Sequence, residues 1–216
     1  MKNQKGFLLI EVVIVVLIVV IMTGVIAFVG LPLIQKVKKE VRVEHDCQII
    51  AAGIYKFNGD VKEWPIWKNG AVTNPADGGS SAGRVYNVLR SDGTMPACDE
   101  INALSSEWAD ANYDTLKNQL AWGAPAGDKT KKYSGFRGPY LDPTADSKDP
   151  WGNPYLINCK YWQPEHSNNK KMIFILSAGP NEVVETDFSQ DFLEGGPGGG
   201  TFAVGGDDII YVFGAS

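Results

Sequence analysis

Residues 7–34, FLLIEVVIVVLIVVIMTGVIAFVGLPLI, form an apolar run that carries one ionisable side chain, Glu11. About 20 residues of helix cross the hydrocarbon core of a bilayer, so this run is long enough to span. The acid is the anomaly within it. An ionised carboxylate inside a span costs roughly 2.5–3.5 kcal/mol or more, so such a residue needs a partner and signals function. Three simpler readings fail. A cleaved secretory signal has an apolar core of about 7–15 residues with an A-x-A-like site after it, whereas MTGVIA is a poor cleavage site. A plain anchor leaves Glu11 unexplained, and a buried core helix is rarely apolar on every side for this many turns.

The basic leader MKNQKG ends at Gly6, immediately before the apolar run. Lys5, Gly6, Phe7, Leu8, Leu9, Ile10 and Glu11 together resemble the N-terminal signature of the type IV pilin and pseudopilin superfamily. The resemblance implies that a prepilin peptidase cuts between Gly6 and Phe7 and that the new Phe7 amine is methylated. It also implies that Glu11 pairs with the N-terminal amine of a neighbouring subunit during filament assembly. The physics is consistent with that role, because a buried carboxylate and a buried ammonium become tolerable as a hydrogen-bonded pair.

A formal net charge of −5 and a pI near 5.1 argue against nucleic-acid binding as the main task. One basic cluster, Lys36, Lys38, Lys39 and Arg42, follows the apolar run and reads as a solvated helix face that could touch lipid headgroups. Counted alone, it would keep that side cytoplasmic. The resemblance implies the opposite orientation: leader inside, bulk of the chain in the periplasm or an extracellular filament, one pass through the inner membrane. Cys47, Cys98 and Cys159 fit an oxidising compartment, and no C-x-x-C occurs. Cys47 falls on an apolar stripe and reads as a small buried hydrophobe. A Cys98–Cys159 disulfide is one expectation; the other two pairings, or no bridge, stay open.

Beyond the run, Val43, Cys47, Ile50, Ile54 and Phe57 recur at spacings of four, three, four and three, which is one face of an amphipathic helix. One helix is therefore expected from about Phe7 to Phe57, stopped by Asn58-Gly59-Asp60 and kinked at Pro32. Residues 60–135 read as a variable αβ-loop insertion with a helix from Ser105 to Trp122, N-capped by Ser105 and packing Leu104, Trp108, Leu116 and Leu120 inward. From 136 to 216, GPYLD, PYLINCKYW, KKMIFILSA and DDIIYVF read as antiparallel strands. The expected organisation is a leader at 1–6, a transmembrane and assembly helix at 7–34, its amphipathic continuation at 35–59, the insertion, and a C-terminal sheet. The fold class is α+β, and the resemblance implies a pilin-like fold with the helix packed on a small antiparallel sheet.

The stretch Asp149-Pro150-Trp151-Gly152-Asn153-Pro154-Tyr155 forces a tight turn and offers large apolar rings to staple helix to sheet. It looks like the DPWG-x-PY element of the major, G-type pseudopilins of type II secretion systems. Ser177-Ala178-Gly179-Pro180-Asn181-Glu182 and the later Gly206-Asp207-Asp208-Ile209 are similar to that family's calcium-binding turn. The resemblance implies a calcium ion held by Asn181, Asp207, Asp208 and the backbone carbonyls of Ala178 and Val183, in keeping with calcium's preference for six to eight hard oxygens. Asn181 stands where an Asp is expected and the Glu185–Gly205 loop is long, so Glu185 or Asp187 becomes a candidate for the missing charge.

The Gly-rich EGGPGGGTFAVGG lacks the Gly-Lys-Ser/Thr ending of a phosphate-binding loop and reads as flexible. The two histidines, His45 and His166, stand outside any catalytic motif, and neither G-x-S-x-G nor H-E-x-x-H occurs. An enzyme is not expected. The expectation is a filament subunit of a pseudopilus in type II secretion, working with prepilin peptidase, other pseudopilins and an inner-membrane assembly platform. The alternatives are a type IV pilus subunit for adhesion, motility or DNA uptake, and an anchored binding module with its ligand site in 60–135.

Overall fold

A computed structural model of the chain describes residues 9–69, 84–100, 105–143, 147–163, 171–189 and 203–215. Two compact units divide the chain, Met1–Val41 and Arg42–Ser216. The first is the leading part of helix α1 (Leu9–Val61). Val and Ile dominate it, residues whose branched side chains do not favour helix in water. A helix nevertheless satisfies every backbone amide within the segment, which is what an apolar medium demands. Every described side chain from Leu9 to Gly24 is exposed. Thr23 caps its own hydroxyl by donating to the Val19 carbonyl at 2.7 Å. The helix continues through Pro32. Among the described residues no helix is long and apolar enough to cross a membrane; the run with every side chain described ends at residue 24.

In the second unit, α1 buries the stripe read from the sequence: Val43, Cys47, Ile54 and Phe57 are fully buried and Ile50 nearly so. The Phe57 ring meets Tyr133 edge-on at 4.8 Å and Tyr140 at 5.8 Å. The helix ends at Val61, two residues past Gly59. Lys62 takes the left-handed φ of 67° and its amide returns to the Asn58 carbonyl at 2.8 Å, so a lysine performs the stop expected of Gly59.

The α+β class holds, but the sheet is mixed and not antiparallel. Five strands lie in the order β3 (Tyr113–Thr115), β1 (Val88–Arg90), β4 (Leu156–Ile157), β5 (Met172–Ser177), β7 (Ile209–Ala215). β1 pairs parallel with β3, in register Leu89 to Asp114, and the remaining neighbours are antiparallel. β2 (Ala97–Cys98) and β6 (Val183–Val184) form a separate parallel pair. The parallel β1–β3 step needs a crossover, and β2 and a 3-10 turn at Ser105–Ala109 lie within that connection. β5 is buried at all six positions and lies between β4 and β7.

The expected helix from Ser105 to Trp122 is not one helix. A 3-10 turn at Ser105–Ala109 is followed by β3 and then a short π-helical turn at Lys117–Ala121. Asp110 breaks it: its Oδ1 accepts the Asn112 amide at 2.8 Å and its Oδ2 accepts the Asn87 side-chain amide at 2.6 Å. Trp108, Leu116 and Leu120 are buried as expected, while Leu104 lies outside the described residues. GPYLD forms no strand, and only Leu156–Ile157 of PYLINCKYW does, since Cys159–Trp162 coils into a 3-10 turn.

Candidate functional site

Glu11 stands in the first turn of α1 and is exposed, surrounded by exposed Leu9, Ile10, Val12, Val13, Ile14 and Val15. Gly6 and Phe7, the expected cleavage and methylation positions, lie outside the described residues. Among the described residues of this unit, these apolar side chains are exposed. A helix of this composition buries them only against lipid or against other helices.

A second site is the loop joining β5 to β7. The chain turns at Gly179 (φ 66°), where a Cβ would run into the Asp207 carbonyl oxygen, and Glu182 is also left-handed at φ 61°. This close approach brings the two sequence motifs together. The Asn181 amide donates to Asp207 Oδ2 at 3.2 Å, and the Asn181 side-chain amide donates to Glu185 Oε2 at 3.0 Å. The Asn181 side-chain oxygen Oδ1 accepts the Val183 amide at 2.8 Å. Glu185 Oε2 in turn accepts the Asp207 amide at 3.3 Å. Asp208 Oδ2 accepts the amides of Glu185 at 2.9 Å and Thr186 at 2.7 Å.

Two oxygens stay unsatisfied. Asp207 Oδ1 and Asp208 Oδ1 are buried without a hydrogen-bond partner. Burial pushes the Asp208 carboxyl up to about 6, and the Glu185 charge adds to the rise, against the hydrogen bonds from Thr186 and Glu185 that lower it. Adjacent orphaned carboxylate oxygens in a glycine-lined loop suit a hard cation, which would satisfy both. Among the described residues no group of three or more His, Cys, Asp or Glu side chains forms a metal cluster. The two carboxylates, Asp207 and Asp208, are the acidic side chains with unsatisfied oxygens at this loop. Of the expected backbone donors, Ala178 is buried at the end of β5 and Val183 lies in β6.

The DPWGNPY turn is tied to this loop, a link the sequence did not reveal. Asp149 is buried and its Oδ1 accepts the amides of Trp151 and Asn153 at 3.0 and 2.8 Å. Its Oδ2 accepts the Ser177 hydroxyl at 2.7 Å, and Ser177 Oγ accepts the Gly179 amide at 3.3 Å. Tyr155 carries the turn to the helix by donating to Asp46 Oδ2 at 2.9 Å. A pattern of Asp at a turn and Ser at a strand end is the only sequence signal for such a chain.

The expected Cys98–Cys159 bridge is not formed; Cys47, Cys98 and Cys159 are free thiols. Cys159 is fully buried, its thiol directed to the Tyr86 carbonyl at 3.3 Å, whereas Cys98 is half-buried in β2. His45 sits on α1 and His166 lies outside the described residues. No protein-family model, no curated protein and no solved structure matches the chain.

Proposed function

We propose that this chain is a structural subunit of a periplasmic pseudopilus in type II protein secretion, held in the inner membrane by one span before it polymerises. The observation that carries the reading is the apolar half of α1, whose described side chains are exposed and whose one ionisable residue is Glu11. In a filament those faces pack against neighbouring α1 helices, and Glu11 meets the Phe7 amine of the adjacent subunit. Each charge then removes the other's desolvation cost. The leader signature supports cleavage after Gly6 by prepilin peptidase and methylation of Phe7. Other pseudopilins and an inner-membrane assembly platform are the partners of the process. The role is structural, with no chemistry assigned to the histidines.

Calcium belongs to the same proposal. Asp207 and Asp208 would hold it, with Asn181 and the carbonyls of Ala178 and Val183 completing its oxygen shell; when bound it supplies the positive charge that the two orphaned carboxylate oxygens lack. What these residues do by themselves is fix the loop, through the amides of Glu185 and Thr186 on Asp208.

The second reading, a type IV pilus subunit, shares the whole N-terminal argument. The DPWGNPY turn and its link to the Asp207–Asp208 loop favour the secretion branch. Neighbouring genes for a secretin and a secretion ATPase would separate the two. The test of the shared core is Glu11→Ala in the full-length chain, expected to abolish filaments while leaving membrane insertion and the thermal midpoint unchanged. Normal filaments from that variant would sink the ammonium-pairing argument. Mass spectrometry of purified subunits should show residues 1–6 removed and a methyl group on Phe7.

A further inference from the structure

A cavity of about 250 Å³ lies wholly within the second unit, against the part of α1 that begins at Arg42. Ile49 and Ile50 of α1 supply one wall, and Leu141 and Tyr155 supply the others. Each wall has its own anchor. Gly53 lets the chain at 140–141 come down on the helix: a Cβ there would stand 3.0 Å from the Tyr140 carbonyl oxygen and 3.2 Å from Leu141 Cδ2. The Tyr140 amide is held in turn by the Leu120 carbonyl at 2.9 Å. Tyr155 is fixed at both ends, its amide donating to Ser91 Oγ at 2.8 Å and its hydroxyl to Asp46 Oδ2 at 2.9 Å. Walls anchored independently of one another keep the space open, and ligand pockets are mostly preformed in this way.

The rest of the lining is charged. Arg42, Asp46, Asp142 and Ser147 complete it. Arg42 Nε meets Asp46 Oδ2 at 3.5 Å, the same oxygen that accepts the Tyr155 hydroxyl. Among the described residues, both contacts of Asp46 thus fall on one oxygen and leave Oδ1 for another donor. Asp142 brings a second carboxylate, so two acids stand against one guanidinium that is already engaged. A second void, of about 10 Å³, shares Leu141, Asp142 and Ser147 and adds Asp92 and Lys117, whose charges cancel. Ile49 is 48% exposed and lies off the buried stripe of α1. It adds nothing to the packing of the helix on the sheet, but it gives the cavity an apolar lip.

We infer that this cavity binds a small amphipathic primary amine, with its apolar body against Ile49, Ile50, Leu141 and Tyr155 and its ammonium directed to Asp46 and Asp142. An engineered cavity of about 150 Å³ takes up benzene, so this one has room for roughly ten non-hydrogen atoms. Charge selects the head group. An ammonium has three donors and no acceptor, and its bonds to carboxylates are of the strong, charge-assisted kind. An anionic head would meet two like charges, and a neutral one would strip water from the carboxylates without replacing it by charge. The inference does not depend on the filament reading, because the cavity belongs to the globular unit whether or not the chain assembles.

The test uses the full-length chain in phosphatidylcholine nanodiscs, with empty discs as the blank for partitioning into lipid. Three probes share one body and differ in the head: phenylpropylammonium, phenylpropanol and phenylpropanoate. Titrations near neutral pH, read by saturation-transfer NMR, should give the amine a Kd at least about tenfold below those of the alcohol and the acid. Ile49→Trp lays an indole across the mouth and should abolish amine binding. Asp142→Asn should weaken the amine about tenfold and leave the alcohol unchanged. Both positions are exposed, so thermal midpoints should match the wild type; if Ile49→Trp lowers its midpoint, Asp142→Asn decides alone. The inference is overturned by amine binding no greater than in empty discs, by equal or tighter binding of the alcohol or the acid, or by wild-type amine affinity in a variant of unchanged midpoint. Glu11→Ala should bind the amine as the wild type does, so failure of the cavity and failure of the filament reading are told apart.

Discussion

Asp208 accepts two amides on one oxygen and none on the other, and its carboxyl is raised from 3.8 to about 6, chiefly by burial. The native state therefore holds this proton more tightly than the unfolded chain between about pH 4 and 6. The group's contribution to stability is fully present below pH 4 and is lost as pH rises through 6. In chelator, the urea midpoint should carry this falling component between pH 4 and 6, and Asp208→Asn should remove it. Above pH 6, calcium should raise the wild-type midpoint, and an equal midpoint with and without calcium would remove the metal from the proposal. Gly179→Ala is the sharper steric probe. It adds a Cβ against the Asp207 carbonyl at a left-handed φ of 66°, and urea unfolding should show a loss of about 1–3 kcal/mol. At this scale the sequence was legible where chemistry is written in residue type: Asn181 and the Asp207–Asp208 pair do meet. The part played by Glu185 as acceptor for both Asn181 and Asp207, and by Ser177 as the link to Asp149, depends on how two distant turns abut. No local pattern encodes that.

The long helix was legible because its periodicity extends over many turns, and β5 and β7 because they are apolar runs bounded by turn residues. β1 and β3 were hidden. Each has three residues, too few for alternation to register, and their parallel pairing joins segments about 25 positions apart. The helix expected over Ser105–Trp122 failed because Asp110 and Asn112 offered the backbone closer hydrogen bonds than a helical turn would, and pairing with β1 then claimed Tyr113–Thr115. Asp114 shows what keeps this irregular stretch in shape. Four donors converge on it inside the fold. Asp114→Ala strands all four and should cost about 3 kcal/mol in urea unfolding, without changing the helical signal of the apolar half of α1.

Across the whole second unit, the sheet draws on strands from both the 60–135 and the 136–216 parts of the chain. β1 lies between β3 and β4, so neither part can complete the sheet by itself. Tryptophan fluorescence and the far-ultraviolet signal of the sheet should accordingly melt at one urea midpoint in the detergent-held full chain. Two separated midpoints would mean that residues 60–135 fold independently, which would revive the anchored binding module.

The three thiols of this unit differ in cover: Cys47 and Cys159 are fully buried and Cys98 is partly exposed. Cys47 on α1 is pushed up to about 12 by burial and by the neighbouring acids Asp46 and Glu44, Cys159 is buried outright and its thiol is raised well above the ordinary value by that burial, and Cys98 is only half covered. Since the thiolate is the reactive form, an alkylating reagent meets them in sequence: Cys98 in the native protein, the others only as the structure opens. The molecule thus carries its own stopwatch for unfolding, in which the lag between the first label and the second and third measures how long the core stays closed.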